Sequence, residues 1–172
     1  MPKPADAMRQ QIVELLPGLR RFAYALAGAR ADADDLAQAT VLRLLERGAP
    51  EDADLKRWAF RVCKNLWIDD RRARAVRLQA ATSGAVDGET ATDGERAAIG
   101  RVALAEAETA MAALPPEQRT ALALVAVEGM SYAEAAEALD VPVGTIMSRI
   151  SRARVALSER LPSGLAPRKA TG

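Results

Sequence analysis

Residues 131–154 read SYAEAAEALDVPVGTIMSRISRAR, and this stretch decides how the C-terminal part of the chain folds. Ser131, followed three residues later by Glu134, makes a capping box, which predicts a short helix ending near Leu139. The residues DVPV then form a tight connection, and a longer helix is predicted over 143–161. Two helices joined by about four residues have the dimensions of a helix-turn-helix.

The two faces of the longer helix differ in chemistry. On a wheel of about 100° per residue, Ile150, Ala153 and Leu157 fall within about 40° of Ile146, which predicts one buried stripe. The opposite side is small, hydroxylated and cationic, and such side chains let a helix enter the major groove, touch base edges and hold phosphates. The residues on and beside this side are Gly144, Thr145, Met147, Ser148, Arg149, Ser151, Arg152 and Arg154. An amphipathic helix with a merely solvated arginine face is the alternative interpretation.

Helical periodicity extends over nearly the whole chain, and no strand pair is evident, so the sequence predicts an all-α fold. An apolar stripe at helical spacing begins at Ile12, and Pro17 is expected to break or kink its helix. Asp32 or Asp34 is expected to cap a second helix, which carries Leu45 inward and ends before residue 48. The first stripe consists of Ile12, Leu15, Leu16, Leu19, Phe22 and Leu26, and the further inward residues of the second helix are Leu36, Val41 and Leu44.

A third, strongly basic helix is predicted over 54–78. Leu55, Trp58, Val62, Leu66 and Asp69 mark its expected inward stripe. Phe60 and Trp67 lie on the remaining circumference, where core packing and a binding surface are both open interpretations. Farther along, helices are predicted over 101–114 and 117–128, with Pro115 and Pro116 between them and Gly129 after the second.

Residues 80–95 read AATSGAVDGETATDGE, with three glycines, four acidic side chains and no basic side chain. This composition buries too little apolar surface to fold alone. The sequence therefore predicts two small helical domains joined by a flexible acidic linker. The expected boundaries are 1–79, 80–105 and 106–172.

Composition excludes several functional classes. The 172-residue chain has no histidine and one cysteine, which rules out a Ser-His-Asp triad, a His-containing metal site and an intramolecular disulfide. The adjacent pairs Asp34-Asp35 and Asp69-Asp70 point about 100° apart on a helix and do not form one metal site. No apolar run approaches a membrane span, and no signal-peptide core is evident. We expect a cytoplasmic protein that is not an enzyme and needs no metal or cofactor.

The net charge of +1 hides strong segregation along the chain. Residues 54–79 carry eight basic and three acidic side chains, and residues 143–160 carry four basic and one acidic. Residues 32–53 and 80–118 are net acidic. Two basic blocks separated by acidic ones indicate two contacts with a polyanion and an acidic surface for another partner.

Four motifs in order resemble those of bacterial sigma-70 family sigma factors, in the compact extracytoplasmic-function group. The helix-turn-helix, together with LPPEQR at 114–119, resembles the reader of the minus-thirty-five promoter element. DDLAQATVL at 34–42 is similar to the family's clamp-binding helix, and WAFRVCKNLWIDDRR at 58–72 to its minus-ten segment. Within this segment, residues 65–69 are similar to general-stress sigma factors of alphaproteobacteria. The likeness covers about residues 10–160.

The resemblance implies a transcription initiation factor that binds the clamp helices of core RNA polymerase, engages promoter DNA and promotes its opening. It also implies an anti-sigma factor as partner. By position, the residues expected at the minus-thirty-five element are Thr145, Ser148, Arg149, Ser151, Arg152 and Arg154. Those expected at the minus-ten element are Lys64, Asn65, Arg71 and Arg72, and those at the clamp are Asp35, Gln38 and Arg43. Met147 and Ser151 depart from the long basic or aromatic residues that the family often has there.

Two rival functions stay open at this point. A plain helix-turn-helix regulator accounts for residues 116–160 but leaves the basic segment 54–74 without a role. A sigma-like decoy that sequesters an anti-sigma factor has no need of the cationic face formed by Arg149, Arg152 and Arg154.

Overall fold

The computed structural model describes residues 4–80 and 95–161, and over these ranges the chain is helical without strands. The helices are α1 (Pro4–Ala27), α2 (Arg30–Arg47), α3 (Leu55–Ala80), α4 (Glu95–Ala112), α5 (Pro116–Leu122), α6 (Tyr132–Leu139) and α7 (Val143–Ser158). A π-helical turn, Ala123–Val127, extends α5. The predicted all-α fold is confirmed. The linker segment 81–94 and the C-terminal residues 162–172 lie outside the described residues.

Helices α1–α3 form the N-terminal half around aromatic and aliphatic side chains. The rings of Phe22 and Phe60 meet edge to face with their centroids 5.0 Å apart, and both are buried. Thr40 is also buried, and its hydroxyl donates to the Leu36 carbonyl at 2.7 Å, so no polar group is left unsatisfied there. Cys63 lies beside them, and burial raises the pKa of its thiol to about 12.

Helices α4–α7 form the C-terminal half, whose core is made by the stripe read from the sequence. Ile146, Ile150, Ala153 and Leu157 are all buried, as the wheel predicted. Leu139 is buried beneath α7, and Val141 is half-buried against the same core. The buried cluster continues from this half into α1 and α3, so the two halves pack against each other.

Three predictions about the first helices differ from the structure. Helix α1 continues through Pro17, which lies on its exposed side, so the predicted break is absent and the kink stays a prediction. Helix α2 begins at Arg30, before both proposed caps, and its N-cap residue Ala29 makes no side-chain cap. Asp32 instead pairs with Arg74 of α3 at 3.3 Å. Leu45, expected inward, is 47% exposed.

The inward face of α3 is rotated from the predicted one. Its buried residues are Ala59, Phe60, Cys63 and Trp67, whereas Leu55, Trp58, Val62 and Leu66 are half-buried and Asp69 is exposed. Helices α1 and α2 and the C-terminal half all pack on α3, so its buried arc is set by several neighbours that a periodicity count at one helix cannot detect. Helix α4 begins at Glu95, six residues before the predicted start, so residues 95–105 of the expected linker are helical.

Candidate nucleic-acid interface

The helix-turn-helix is built as its local sequence dictates. The Ser131 hydroxyl accepts from the Glu134 amide at 3.2 Å, and the Glu134 carboxylate accepts from the Ser131 amide at 2.8 Å, so the capping box is complete. These bonds lower the pKa of Glu134. Helix α6 then ends at Asp140, whose φ of 58° places it in the left-handed region and reverses the chain toward α7.

The outward face of α7 is open and polar. Gly144, Ser148, Ser151 and Arg152 are exposed, and nothing lies within 4 Å of the position that a Cβ would take at Gly144. The Ser148 hydroxyl donates to the Thr145 carbonyl at 3.0 Å, which leaves its oxygen lone pairs facing outward. This is a surface on which a backbone or a base edge can approach the helix closely.

The other candidates on α7 lie at the flanks of that face. Thr145 and Arg149 are half-buried on one flank, and Arg154 is half-buried on the other. The Nε of Arg154 is buried without a hydrogen-bond partner among the described residues. Met147, one of the two departures from the resembled pattern, is 55% exposed.

The four candidates on α3 differ in exposure. Asn65, Arg71 and Arg72 are exposed. Lys64 is half-buried, and burial together with the charges of Arg61 and Arg149 lowers its pKa. The Arg71 guanidinium lies 5.1 Å from the ring centre of Trp67, which is itself 5% exposed. The structure therefore exposes Asn65, Arg71 and Arg72, whereas Lys64 is half-buried near Arg149 of the C-terminal half.

The face of α2 that points away from the core carries both polar and apolar side chains. Asp35 and Gln38 are exposed one turn apart, and Arg43 is half-buried about 80° around the helix from Asp35. Leu42 is 58% exposed on the same side as Asp35 and Gln38, next to the exposed Leu45. The two leucines are functional candidates that sequence reasoning missed, because Leu45 was assigned to the core.

Two further arginines were missed as well, and both join the halves. Arg61 of α3 donates to the carbonyls of Glu137 (2.6 Å) and Ala138 (3.0 Å) at the end of α6. Arg119 of α5 donates from Nε to the Ala25 carbonyl near the end of α1 at 2.8 Å. Arg119 is 4% exposed, and its burial, with the nearby Arg71 charge, lowers its pKa to about 10. Arg119 follows Glu117 and Gln118 and precedes Thr120, so its local sequence gave no sign of its burial.

None of the helices in the described part of the chain is long and apolar enough to span a bilayer. Across residues 4–80 and 95–161, no three carboxylate or thiol side chains converge in a way that would hold a metal ion.

Family models match both halves of the chain. The model of sigma-70 region 2 matches residues 12–77, and that of sigma-70 region 4 matches residues 104–157. The ECF RNA polymerase sigma factor EcfG of Rhodopseudomonas palustris (strain TIE-1) is 36% identical over 158 residues, which are 91% of this chain and 86% of that protein.

Two solved structures resemble the fold over nearly its full length. One is the sigma factor RpoE in complex with the anti-sigma factor NepR from Bartonella quintana, with a TM-score of 0.73, 29% identity, and coverage of 88% of this chain and 94% of that one. The other is CnrH in complex with the cytosolic domain of CnrY, with a TM-score of 0.62, 26% identity, and coverage of 90% and 86%.

Proposed function

The chain belongs to the sigma-70 family of RNA polymerase sigma factors, in its extracytoplasmic-function group, and from this premise we propose that it reads two promoter elements, one with each half. Membership makes it a transcription initiation factor. The finer assignment is that α7 reads the minus-thirty-five element, α3 engages the minus-ten element and α2 docks on the clamp of core RNA polymerase. The predicted boundaries 1–79, 80–105 and 106–172 go with this division of labour.

One observation carries the assignment of α7: its exposed face is polar and cationic while its opposite face is wholly buried. Ser148, Ser151 and Arg152 stand where a helix in the major groove meets base edges. Thr145, Arg149 and Arg154 at the flanks are proposed to contact phosphates or the core enzyme. Replacing Arg152 with Ala should weaken duplex binding by about 1–3 kcal/mol if its guanidinium is bidentate to a guanine.

The minus-ten assignment rests on the charge of α3. Lys64, Asn65, Arg71 and Arg72 line a helix whose neighbourhood carries a large excess of basic side chains. Opening about ten base pairs costs on the order of 14 kcal/mol at about 1.4 kcal/mol per step. One base captured on an aromatic ring returns about 1–3 kcal/mol, and Trp67 is packed in the core. We therefore propose that DNA opening is shared with the core enzyme.

The clamp assignment rests on the exposed face of α2. Asp35 and Gln38 supply polar contacts beside Leu42 and Leu45, two leucines without cover on the described surface. Arg43 lies at the edge of this face. An exposed apolar pair rimmed by polar side chains is typical of a protein-binding surface. Leu42→Ser should weaken binding to core polymerase, whereas Val13→Ser, an equally exposed site on α1, should leave it unchanged.

We also propose an anti-sigma factor as regulator. In one similar structure the sigma factor RpoE is bound to the anti-sigma factor NepR, and in another CnrH is bound to the cytosolic domain of CnrY. The test is co-purification of the full chain from unstressed cells, where the proposal predicts that most of the chain is bound. Free and fully active protein in such cells would remove this part of the proposal.

The function is tested by transcription in vitro from fragmented genomic DNA with purified core polymerase, with and without the chain. New discrete start sites that need the chain are the expected result. Duplex binding without new starts would instead identify a plain helix-turn-helix regulator. Absence of both, with tight binding to an anti-sigma factor, would identify a decoy.

A further inference from the structure

Arg119 carries a buried positive charge that has no carboxylate partner. Its side chain is 4% exposed, and its Nε donates to the Ala25 carbonyl at 2.8 Å. Within residues 4–80 and 95–161, its Nη1 and Nη2 atoms make no hydrogen bond and its guanidinium forms no ion pair. Buried charges in proteins are paired in nearly every case, because an unpaired charge loses its hydration without compensation. Arg119 therefore keeps the capacity to bind an anion.

Arg119 lines a cavity of about 400 Å³ between the end of α1, the first half of α2 and the second half of α3. A second arginine, Arg71, lines the same cavity at its exposed edge. The guanidinium groups of Arg71 and Arg119 lie 5.1 Å and 5.6 Å from the ring centre of Trp67, so two cations gather around one indole. Burial and the like charge of Arg71 lower the pKa of Arg119 to about 10. This end of the cavity is therefore cationic.

The remaining side chains of the cavity limit which anion fits. Arg74 is already neutralised, because its guanidinium pairs with Asp32 at 3.3 Å and with Asp70 at 2.7 Å. Asp35 adds a further negative charge at the exposed edge. These carboxylates repel a ligand that carries several negative charges, so a single anionic group is favoured. The apolar lining consists of Leu26, Ala27, Leu36, Ala39 and Leu66.

We propose that this cavity binds a small organic acid, whose one carboxylate is held by Arg119 and Arg71 and whose apolar body packs on Leu36 and Leu66. The planar fork of a guanidinium matches the two oxygens of a carboxylate. A phosphate monoester carries closer to two negative charges at neutral pH and fits less well beside Asp35. The cavity volume lies within the range of small-molecule sites. The proposal goes beyond the promoter assignments and does not depend on them.

The test is a binding titration of the full chain in a Trp58→Phe background, in which Trp67, a lining residue of the cavity, is the single tryptophan. The probe is hexanoate, which has one carboxylate and an apolar body. Hexanamide is the uncharged analogue, and inorganic phosphate is an anion without an apolar body. Salt at about 0.15 M screens exposed charges beyond about 8 Å. The readouts are Trp67 fluorescence and isothermal calorimetry, with helix content as the check on folding.

The ligand series separates a built site from general attraction to a basic helix. Hexanoate is expected to bind saturably and to change the Trp67 fluorescence. Hexanamide should bind at least about tenfold more weakly, because it loses the charge-assisted hydrogen bonds. Phosphate should bind more weakly than hexanoate, because it cannot use the apolar lining and is repelled by the carboxylates. Equal affinity for hexanoate and hexanamide, equal affinity for hexanoate and phosphate, or no saturable binding of hexanoate would each overturn the proposal.

The variants assign the binding to the two arginines. Arg119→Gln removes the buried charge and should weaken hexanoate binding by at least about tenfold. Arg71→Ala should weaken it roughly two- to fivefold, because Arg71 is exposed and screened. Arg77→Ala is the matched control, since Arg77 is an exposed arginine of α3 that does not line the cavity, and its affinity should match that of the parent chain.

The variants also give results that would contradict the proposal. Unchanged affinity in Arg119→Gln with helix content retained would overturn it. Equal affinities in Arg71→Ala and Arg77→Ala would overturn it as well, since they would mean that hexanoate binds α3 without using the cavity. If Arg119→Gln loses helix content, the comparison of Arg71→Ala with Arg77→Ala decides, because both side chains are exposed and neither supports the core.

Discussion

Helices α3 and α7 are both amphipathic and both cationic, yet they deploy their charges differently. Helix α7 packs by one stripe within its own half and presents Ser151 and Arg152 to solvent. Helix α3 is covered from two sides, and it commits Arg57 to an ion pair with Glu137 and Arg61 to the end of α6. The cations on the exposed face of α7 are therefore available to an outside partner, whereas Arg57 and Arg61 of α3 are engaged within the protein.

The largest expected effects are losses of stability from substitutions at buried positions of α3 and α7. Phe60→Ala should lower the free energy of unfolding by about 3–5 kcal/mol, and Ile150→Ala by about 2–5 kcal/mol, because both side chains are 1% exposed and leave cavities. Leu66→Ala should cost less than half as much as Phe60→Ala, since Leu66 is half-buried. The measurement is chemical denaturation of the three variants. An equal loss of stability in Leu66→Ala and Phe60→Ala would instead support the inward face of α3 that periodicity predicts.

A smaller effect is expected at the start of the helix-turn-helix. Ser131→Ala removes the hydroxyl that accepts from the Glu134 amide and should cost about 1 kcal/mol of stability. Ser158→Ala is the matched control, because Ser158 is an exposed serine at the other end of the motif whose hydroxyl bonds only to its own turn. Thermal unfolding measures both. Equal losses of stability in the two variants would show that the capping hydroxyl contributes no more than an ordinary exposed serine hydroxyl.

The smallest expected effect is on the pH dependence of stability. The capping bonds hold the pKa of Glu134 below its usual value of 4.5, so their stabilisation is complete above that value and is lost as the pH falls through the folded-state pKa. Glu134→Gln should remove this part of the pH dependence. The measurement is denaturation of both chains from about pH 6 to about pH 3. Parallel curves for the two chains would contradict the assignment.

The difference between α3 and α7 also shows which structural features can be predicted from the sequence alone. The capping box, the turn at Asp140 and the buried stripe of α7 are local, because each depends on residues within a single short stretch of sequence, and the structure confirms them. The inward face of α3 and the burial of Arg119 depend on residues about 40 to 95 positions away along the chain, beyond the reach of any pattern count.

The α2 helix gives the same lesson at its N-terminus. Asp32 had the chemistry of a cap, but the nearby Arg74 of α3 supplies a cationic partner at 3.3 Å, and α2 begins at Arg30. Of the candidate site, Ser148, Ser151 and Arg152 lie together on one exposed face, and Asp35 and Gln38 lie together on another. Their roles stay predictions until they are tested.

The most direct test of the central claim is start-site mapping with two variants of the full chain, Arg152→Ala and Asn65→Ala, beside Arg160→Ala as control. Arg160 is an exposed arginine just beyond the end of α7. We predict that Arg152→Ala weakens transcription from start sites that depend on the minus-thirty-five element. We predict that Asn65→Ala weakens transcription from start sites that depend on the minus-ten element. Uniform loss at all promoters in both variants, whatever their two elements, would contradict it.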